Sequence, residues 1–434
     1  MTYANRSILG VCLATLAAAA GMAAAQPVEP GGRTGGLLAG DQTLDAVLLT
    51  RDLDGDGDAG DAGEAWTWAD ATNASGMGTG DVFSIFQSAT GWVYFSDGST
   101  DAVYRARDTS GDGDANDAGE GAVWFSGAGN APGYTLATPN GLWEPAPGVV
   151  FVLNAGAGDL PEDAIYRTED LNADGDAEDA GEAALWMDLL GLIEGSSAFD
   201  VAFIGETAYF ADLRGGDVDA IIRAADSDGS GTVESGEWSV FIDADNPWGA
   251  PIGFAVETDG RSVYVADNLS GNAQTVYRLT DLDASGAIDS AAEAVLVWDE
   301  SRLPDGRELG SVFTLALGTP GVLALGSSGG DDEDAVYVLT DGDGDGLFLG
   351  AGETAMWLGG AASGGPASRV RSLEYATGAA CAPDFNGDGL VDTRDVIAFL
   401  NAWSAGDQSA DFNGDGVIDT RDVIAFLNAW TAGC

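Results

Sequence analysis

The 434-residue chain has no histidine, only 16 lysines and arginines against 71 aspartates and glutamates, and just three cysteines. Each shortage excludes something. Without histidine the commonest general base, a frequent metal ligand and any serine–histidine triad are gone. A formal net charge of −55 rules against nucleic acid, because phosphate recognition needs a basic surface. Long apolar runs are also scarce. The one that stands out, Ile8 to Ala20, follows Arg6 and precedes Ala23-Ala24-Ala25, so residues 1–25 are expected to be a signal peptide and 26–34 a linker. No later stretch is long and apolar enough to span a membrane. The mature chain is therefore expected to be secreted or at the cell surface, with Cys381 and Cys434 as its cysteines. Such acidity can signal disorder, yet 45% hydrophobic residues and twelve tryptophans argue for a folded core.

What is abundant is repetition. From residue 35 to 378 one unit recurs: a strand, an acidic loop, then a strand carrying an aromatic. Val103-Tyr104-Arg105 leads through such a loop to Ala122-Val123-Trp124-Phe125, and Ile165-Tyr166-Arg167 to Leu185-Trp186. The leading aspartates are Asp52, Asp108, Asp170, Asp226, Asp281 and Asp341, a step of 55 to 62 residues. Two further strand-like stretches precede each hairpin, as in Val82–Phe86 and Trp92–Phe95. Four short strands per unit at this period point to a β-propeller, with a solenoid of sheets as the competitor. The ends decide between them. The first unit, from Gly36, has only three strands, and Val370–Tyr375 is an orphan strand after the last. Adding it to the first unit completes six blades and closes a ring without exposed edges.

The blade loops are candidate cation sites. The first offers Asp52, Asp54, Asp56 and Asp58, followed by Asp61 and Glu64; the second Asp108, Ser110, Asp112, Asp114, Asp117 and Glu120. The third offers Asp170, Asn172, Asp174, Asp176, Asp179 and Glu182. Only the fourth, with Asp226, Asp228, Ser230, Thr232 and Glu237, has the twelve-residue EF-hand spacing. Elsewhere the glutamate falls at position 13, where a bidentate role needs a one-residue bulge. The fifth (Asp281, Asp283, Ser285, Asp289, Glu293) and sixth (Asp341, Asp343, Asp345, Glu353) carry fewer acids. Solvated acidic turns are the plain alternative. Against it, several carboxylates in one hairpin loop repel strongly without a cation. Calcium, bound by hard oxygens, is the expected cofactor, and its role is expected to be structural. The loops resemble the calcium-bearing hairpin loops of some β-propellers.

The last 54 residues hold a near-exact duplication: DFNGDGLVDTRDVIAFLNAWSAG from Asp384 and DFNGDGVIDTRDVIAFLNAWTAG from Asp411. In the first copy, loop positions 1, 3, 5, 7, 9 and 12 are Asp384, Asn386, Asp388, Leu390 (through its carbonyl), Asp392 and Asp395. In the second they are Asp411, Asn413, Asp415, Val417, Asp419 and Asp422. An apolar stripe at Val396, Phe399, Leu400 and Trp403 predicts a helix leaving the loop. Pro383 and the short preceding segment leave no room for a helix entering it. A duplicated calcium loop with only an exiting helix, ending in Asp at position 12, resembles the dockerin module over residues 381–434, and Gly433-Cys434 matches its GC-type variant. That resemblance implies docking to a cohesin-like receptor on a scaffold or cell surface. It assigns the contact to Thr393, Arg394, Thr420 and Arg421 and the helices after them, with two-fold symmetry so that either half can face the partner. Cys381 and Cys434 bracket the module. A disulfide between them fits an oxidising compartment, and a free Cys434 used for anchoring is the alternative.

Six-bladed propellers include lactonases, sugar dehydrogenases and phytases, so an enzyme has to be weighed. The acids here sit in repeated outer loops, whereas a catalytic site usually breaks repeat symmetry. Trp143, Glu144, Asp200, Trp248 and Glu257 are such breaks, close to first strands that could line a central channel. A glycan- or peptide-binding face with Trp143 and Trp248 is the better expectation than catalysis. The favoured reading is a non-enzymatic, calcium-stabilised propeller displayed through its tail. The competitor is a secreted carbohydrate-active or lactone-cleaving hydrolase carrying the same tail.

Overall fold

The computed structural model describes residues 36–376, apart from 89, 157–162, 215–218, 267–272, 305, 329–333 and 361–364, and then 393–405, 410, 412, 418 and 420–432. The expected signal peptide and linker lie outside the described residues. So do Cys381, Cys434, Asp384, Asn386, Asp388, Leu390, Asp392, Asp411, Asn413, Asp415, Val417 and Asp419, and the side chains of Thr393 and Asp395.

Six antiparallel four-stranded sheets form a β-propeller. The second blade runs through Val82–Gln87, Val93–Asp97, Ala102–Ala106 and Gly121–Ser126, from the inside of the ring outward. The third has Pro139–Ala146, Val149–Asn154, Ala164–Glu169 and Ala183–Asp188, and the fourth Ala198–Ile204, Thr207–Asp212, Ala220–Ala224 and Trp238–Asp243. The fifth has Val256–Thr258, Val263–Ala266, Thr275–Leu279 and Ala294–Asp299, and the sixth Val312–Leu317, Val322–Ser327, Ala335–Thr340 and Thr354–Gly359. The first blade joins Leu37–Asp41, Ala46–Thr50 and Ala65–Asp70 to the C-terminal strand Val370–Tyr375, which pairs antiparallel from Leu37↔Tyr375 to Asp41↔Val370. The ring closes on that pair, as the orphan strand implied.

Burial explains why the strands read as they do. Second strands such as Val93–Asp97 and Val149–Asn154 are buried almost throughout, because blades pack on both of their faces. They therefore read as continuous apolar runs rather than alternations. Outer strands such as Gly121–Ser126 keep buried aromatics at one end and half-exposed residues at the other. Several outer-strand tryptophans lock onto the next blade. The indole N–H of Trp124 donates to Thr168 Oγ1 at 2.9 Å, that of Trp298 to Thr354 Oγ1 at 3.1 Å, and that of Trp357 to Thr50 Oγ1 at 2.8 Å. These buried indoles satisfy their one donor while filling the seam between blades. Two short elements were not expected: helix α1, Leu189–Leu192, N-capped by Asp188 after the third blade, and a 3-10 turn, Glu300–Arg302, N-capped by Asp299 after the fifth.

In the tail, helices α2 (Thr393–Ala405) and α3 (Thr420–Ala432) are 13 residues each. Phe399 and Phe426, which hold the same place in the two copies, stack face to face at 4.2 Å, and Phe412 meets Phe426 edge-on at 5.4 Å. Equivalent residues in mutual contact are what an internal two-fold axis produces.

Candidate functional site

Two places concentrate chemistry: the acidic loops on the outside of the ring and the channel at its centre. In all six loops the residue at position 1 folds the loop around its own carboxylate. The amide at position 6 donates to it, Gly57 to Asp52, Gly113 to Asp108, Gly175 to Asp170, Gly231 to Asp226, Gly286 to Asp281 and Gly346 to Asp341, at 2.8 to 3.0 Å. These six glycines have φ between 80° and 109°, which a side chain would resist. Carboxylate oxygens converge to within 4.8 Å in Asp52, Asp54 and Glu64, in Asp108, Asp112 and Glu120, in Asp174, Asp176 and Glu182, and in Asp226, Asp228 and Glu237.

The closing glutamates face inward whether they stand at position 12 or 13. Glu64 Oε1 accepts from the Leu53 and Asp54 amides and its Oε2 from Asp61. Glu120, Glu182 and Glu237 repeat this pattern, and Glu293 and Glu353 also bind amides at both ends of their loops. Amides of Leu282 and then Asp289 pull the Glu293 carboxyl down to about 2. The acids further out behave in the opposite way. Repulsion from Asp54 and then Asp56 raises Asp61, from Asp112 and then Glu120 raises Asp117, and from Asp283 raises Asp289. The loops thus combine a preorganised oxygen cage with unrelieved negative charge.

Position 8 was overlooked in the sequence. Its residues, Ala59, Ala115, Ala177, Val233, Ile288 and Phe348, are all buried. Each amide donates to an outer strand of the preceding blade: Ala59 to the Trp357 carbonyl, Ala115 to Trp68, Ala177 to Trp124, Val233 to Trp186, Ile288 to Phe241 and Phe348 to Val297, at 2.7 to 2.8 Å. An apolar residue at one fixed position of six acidic loops was the available signal. The loops are therefore struts between blades, and the first one crosses the ring closure.

The inner strands wall a narrow channel with a volume of about 60 Å³, room for a few water molecules. Strand register aligns Phe83, Asn140, Phe199, Phe313 and Arg371 at one level, and Phe254 joins them, edge-on to Phe199 (4.6 Å) and stacked on Phe313 (4.3 Å). The Arg371 guanidinium lies over Phe313 at 3.9 Å. Glu257 and Glu374 occupy the register position held by Phe86, Trp143, Ala202 and Ala316 in the other blades. Asp200 sits at a bulge with φ of 42°, a strained conformation, and accepts from the Val201 and Val256 amides at 2.9 Å. Gly141 beside it is forced, since a Cβ there would lie 3.0 Å from Asp200 Cα. Burial pushes Asp200 up to about 7, Glu374 up to about 8 and Glu257 well above the usual carboxylate range.

Of the symmetry breaks read from the sequence, Asp200, Glu257 and Trp143 line this channel. Glu144 instead caps a hairpin by accepting the Gly148 amide, and Trp248 lies between the fourth and fifth blades with its carbonyl accepting from the Tyr277 hydroxyl. The structure thus separates Trp143 from Trp248 as walls of one channel site. Glu374, Asn140 and Arg371 were missed. The acid of the orphan strand carried a signal only once its register with Glu257 was known.

In the tail, Arg394, Thr420 and Arg421 are exposed, whereas Asp422 is fully buried in the first turn of α3.

No family model matches the chain, and no curated protein does. Among solved structures it is similar to TolB from Acinetobacter baumannii (13% identity over 80% of this chain and 68% of that one, TM-score 0.44). It is also similar to a PQQ-bound aldose sugar dehydrogenase from Streptomyces coelicolor (13%, 71% and 88%, TM-score 0.43) and to regucalcin, a calcium-binding protein from Agrobacterium tumefaciens (12%, 62% and 73%, TM-score 0.39). At such identities and scores the likeness carries no argument about function.

Proposed function

We propose that this chain is a calcium-braced propeller, exported and held at a surface by a dockerin-like tail, whose body serves as a binding or structural unit. The observation that carries the reading is the geometry of the loops. The first four gather carboxylate oxygens within 4.8 Å of one another, and all six are pinned through position 8 to the neighbouring blade. A cation that fixes such a loop also fixes a blade seam, so binding energy becomes folding energy. Calcium fits best, because the donors are all oxygens and it tolerates six to eight of them in flexible geometry. Calcium titration by calorimetry tests this: saturable uptake, reduced by the pair D52N and D108N, supports it, and no uptake sinks it.

Support for a docking tail comes from its symmetry. Ile397 and Leu400 on α2, and their counterparts Ile424 and Leu427 on α3, are 40 to 60% exposed, next to Arg394 and Arg421. Two equal apolar and cationic faces suit a cohesin-like partner that either half can engage. Against a panel of cohesin domains, I397D and I424D should each bind as the parent does, while the double variant should not. A single substitution that abolishes binding would remove the dual-face reading.

The hydrolase alternative draws on the raised channel carboxylates, which suit acid–base work. A channel with room for a few waters does not admit a sugar ring, which favours the binding role. Turnover of glycans or lactones that is lost in E257Q would reverse this preference.

A further inference from the structure

Each acidic loop docks on the blade before it, and three of those blades present an arginine to it. In the second, fourth and fifth blades a second-strand tyrosine pairs across the sheet with a third-strand arginine: Tyr94↔Arg105, Tyr209↔Arg223 and Tyr264↔Arg278. Each guanidinium reaches past its own hairpin to position 6 of the next loop. A Cβ on Gly175 would collide with Arg105 Nη2 and one on Gly286 with Arg223 Nη1, while Arg278 Nη1 donates to the Gly346 carbonyl at 3.1 Å. The amide of that same glycine is held by the leading aspartate, so guanidinium and carboxylate flank one residue. Burial raises the hydroxyls of Tyr94 and Tyr209, the paired arginine holds each back, and Asp170 and Asp281, the leading acids of the next loops, act on them too. None of the three arginines belongs to an ion pair among the described residues.

The remaining loops meet a different neighbour. The third blade pairs Phe151 with Arg167, and Arg167 turns to Glu169 of its own strand at 2.6 Å. A Cβ on Gly231 of the fourth loop would accordingly meet nothing within 4 Å. The first blade has Leu38↔Leu49 at this place. The Gly113 carbonyl of the second loop accepts instead from the neutral Trp66 indole at 2.9 Å, with Arg51 on the face of that ring, 5.7 Å from its centre. The sixth blade, which carries the first loop, has Ala324↔Val338.

We propose that Arg105, Arg223 and Arg278 are resident counterions of the third, fifth and sixth loops, and that the six loops are therefore of two kinds. Three keep their fold without an added cation, because the preceding blade already supplies a positive charge. The first, second and fourth have no guanidinium on position 6, and their carboxylates are relieved from solution. A unit positive charge at this range lowers a loop's affinity for a divalent cation by about tenfold or more. This division of affinity rests on the calcium reading of the loops, whereas the counterion role does not.

Hydrogen exchange of the full chain, resolved loop by loop in chelator and across a calcium titration, tests both parts. In chelator the third, fifth and sixth loops should exchange more slowly than the other three, and their calcium midpoints should lie about tenfold higher. R278M removes the charge and keeps the stem. It should speed exchange of the sixth loop in chelator and lower that loop's calcium midpoint about tenfold, while R278K stays near the parent. R223M gives the same reading on the fifth loop, and R167M should leave the fourth unchanged. Six loops that exchange alike in chelator, or R278K behaving as R278M does, overturn the proposal; a calcium response shared equally by all six then leaves the calcium reading standing. The chelator pattern without any calcium response supports the counterions and sinks the calcium reading.

Discussion

Glu293 and Asp61 have the same kind of charge and opposite surroundings. Glu293 rests on four backbone and hydroxyl donors of its own loop, so losing its charge should loosen the loop with or without a cation. E293Q should lower the melting temperature by several degrees in both calcium and chelator. Asp61 is raised by its neighbours rather than held by them. D61N should therefore raise the melting temperature in chelator, where repulsion dominates, and lower it in calcium, where a ligand is lost. Equal shifts of one sign in both buffers would show that charge crowding does not govern these loops. Asp422 shows how far residue-level reading reached. Its place at position 12 was legible from spacing, while its complete burial depends on helix packing that spacing does not encode.

The hairpin with its acidic loop is the element that makes blades into a ring. Phe348 plugs the seam between the fifth and sixth blades with 5% exposure and pairs through its amide to Val297. F348A should cost about 3 kcal/mol, read as a shift in the urea midpoint. An unchanged midpoint would make the seam contact incidental. Strands were legible because blade packing buries them on both faces, leaving apolar runs bounded by Gly and Asp. The struts were not, because one apolar residue inside an acidic loop looks like filler until its neighbour across the seam is known. The channel was half legible for a similar reason. The fifth blade's inner strand, Val256–Thr258, is three residues long, so Glu257 could be seen as a symmetry break but not aligned with Glu374.

Across the whole molecule, the carboxylates set the pH response. Asp200 at about 7, Glu374 at about 8 and the raised Glu257 hold protons in the folded chain that the unfolded chain has released. Their share of stability is therefore full below the unfolded carboxylate value of about 4 and is lost as pH rises toward 8. Asp61, Asp117 and Asp289 push the same way, while Glu293, at about 2, contributes stability that is lost only as pH falls from about 4.5 toward 2. In chelator the urea midpoint should fall between pH 5 and 8, and D200N/E257Q/E374Q should flatten part of that slope. Arg371 and Asn140 share the channel with these groups and do not titrate in that range. A midpoint that rises over the same span would contradict the assignment.

Ring closure ties these scales together, since the first acidic loop reaches the sixth blade through Ala59 and Trp357 while the C-terminal strand completes the first. If cations in the loops brace every seam, the ring should be weakest when they are removed. Thermal unfolding of the full chain in millimolar calcium and in chelator, at one pH and ionic strength, reads this directly. A higher melting temperature in calcium, increasing with its concentration, is the expected result. Superimposable curves would contradict it.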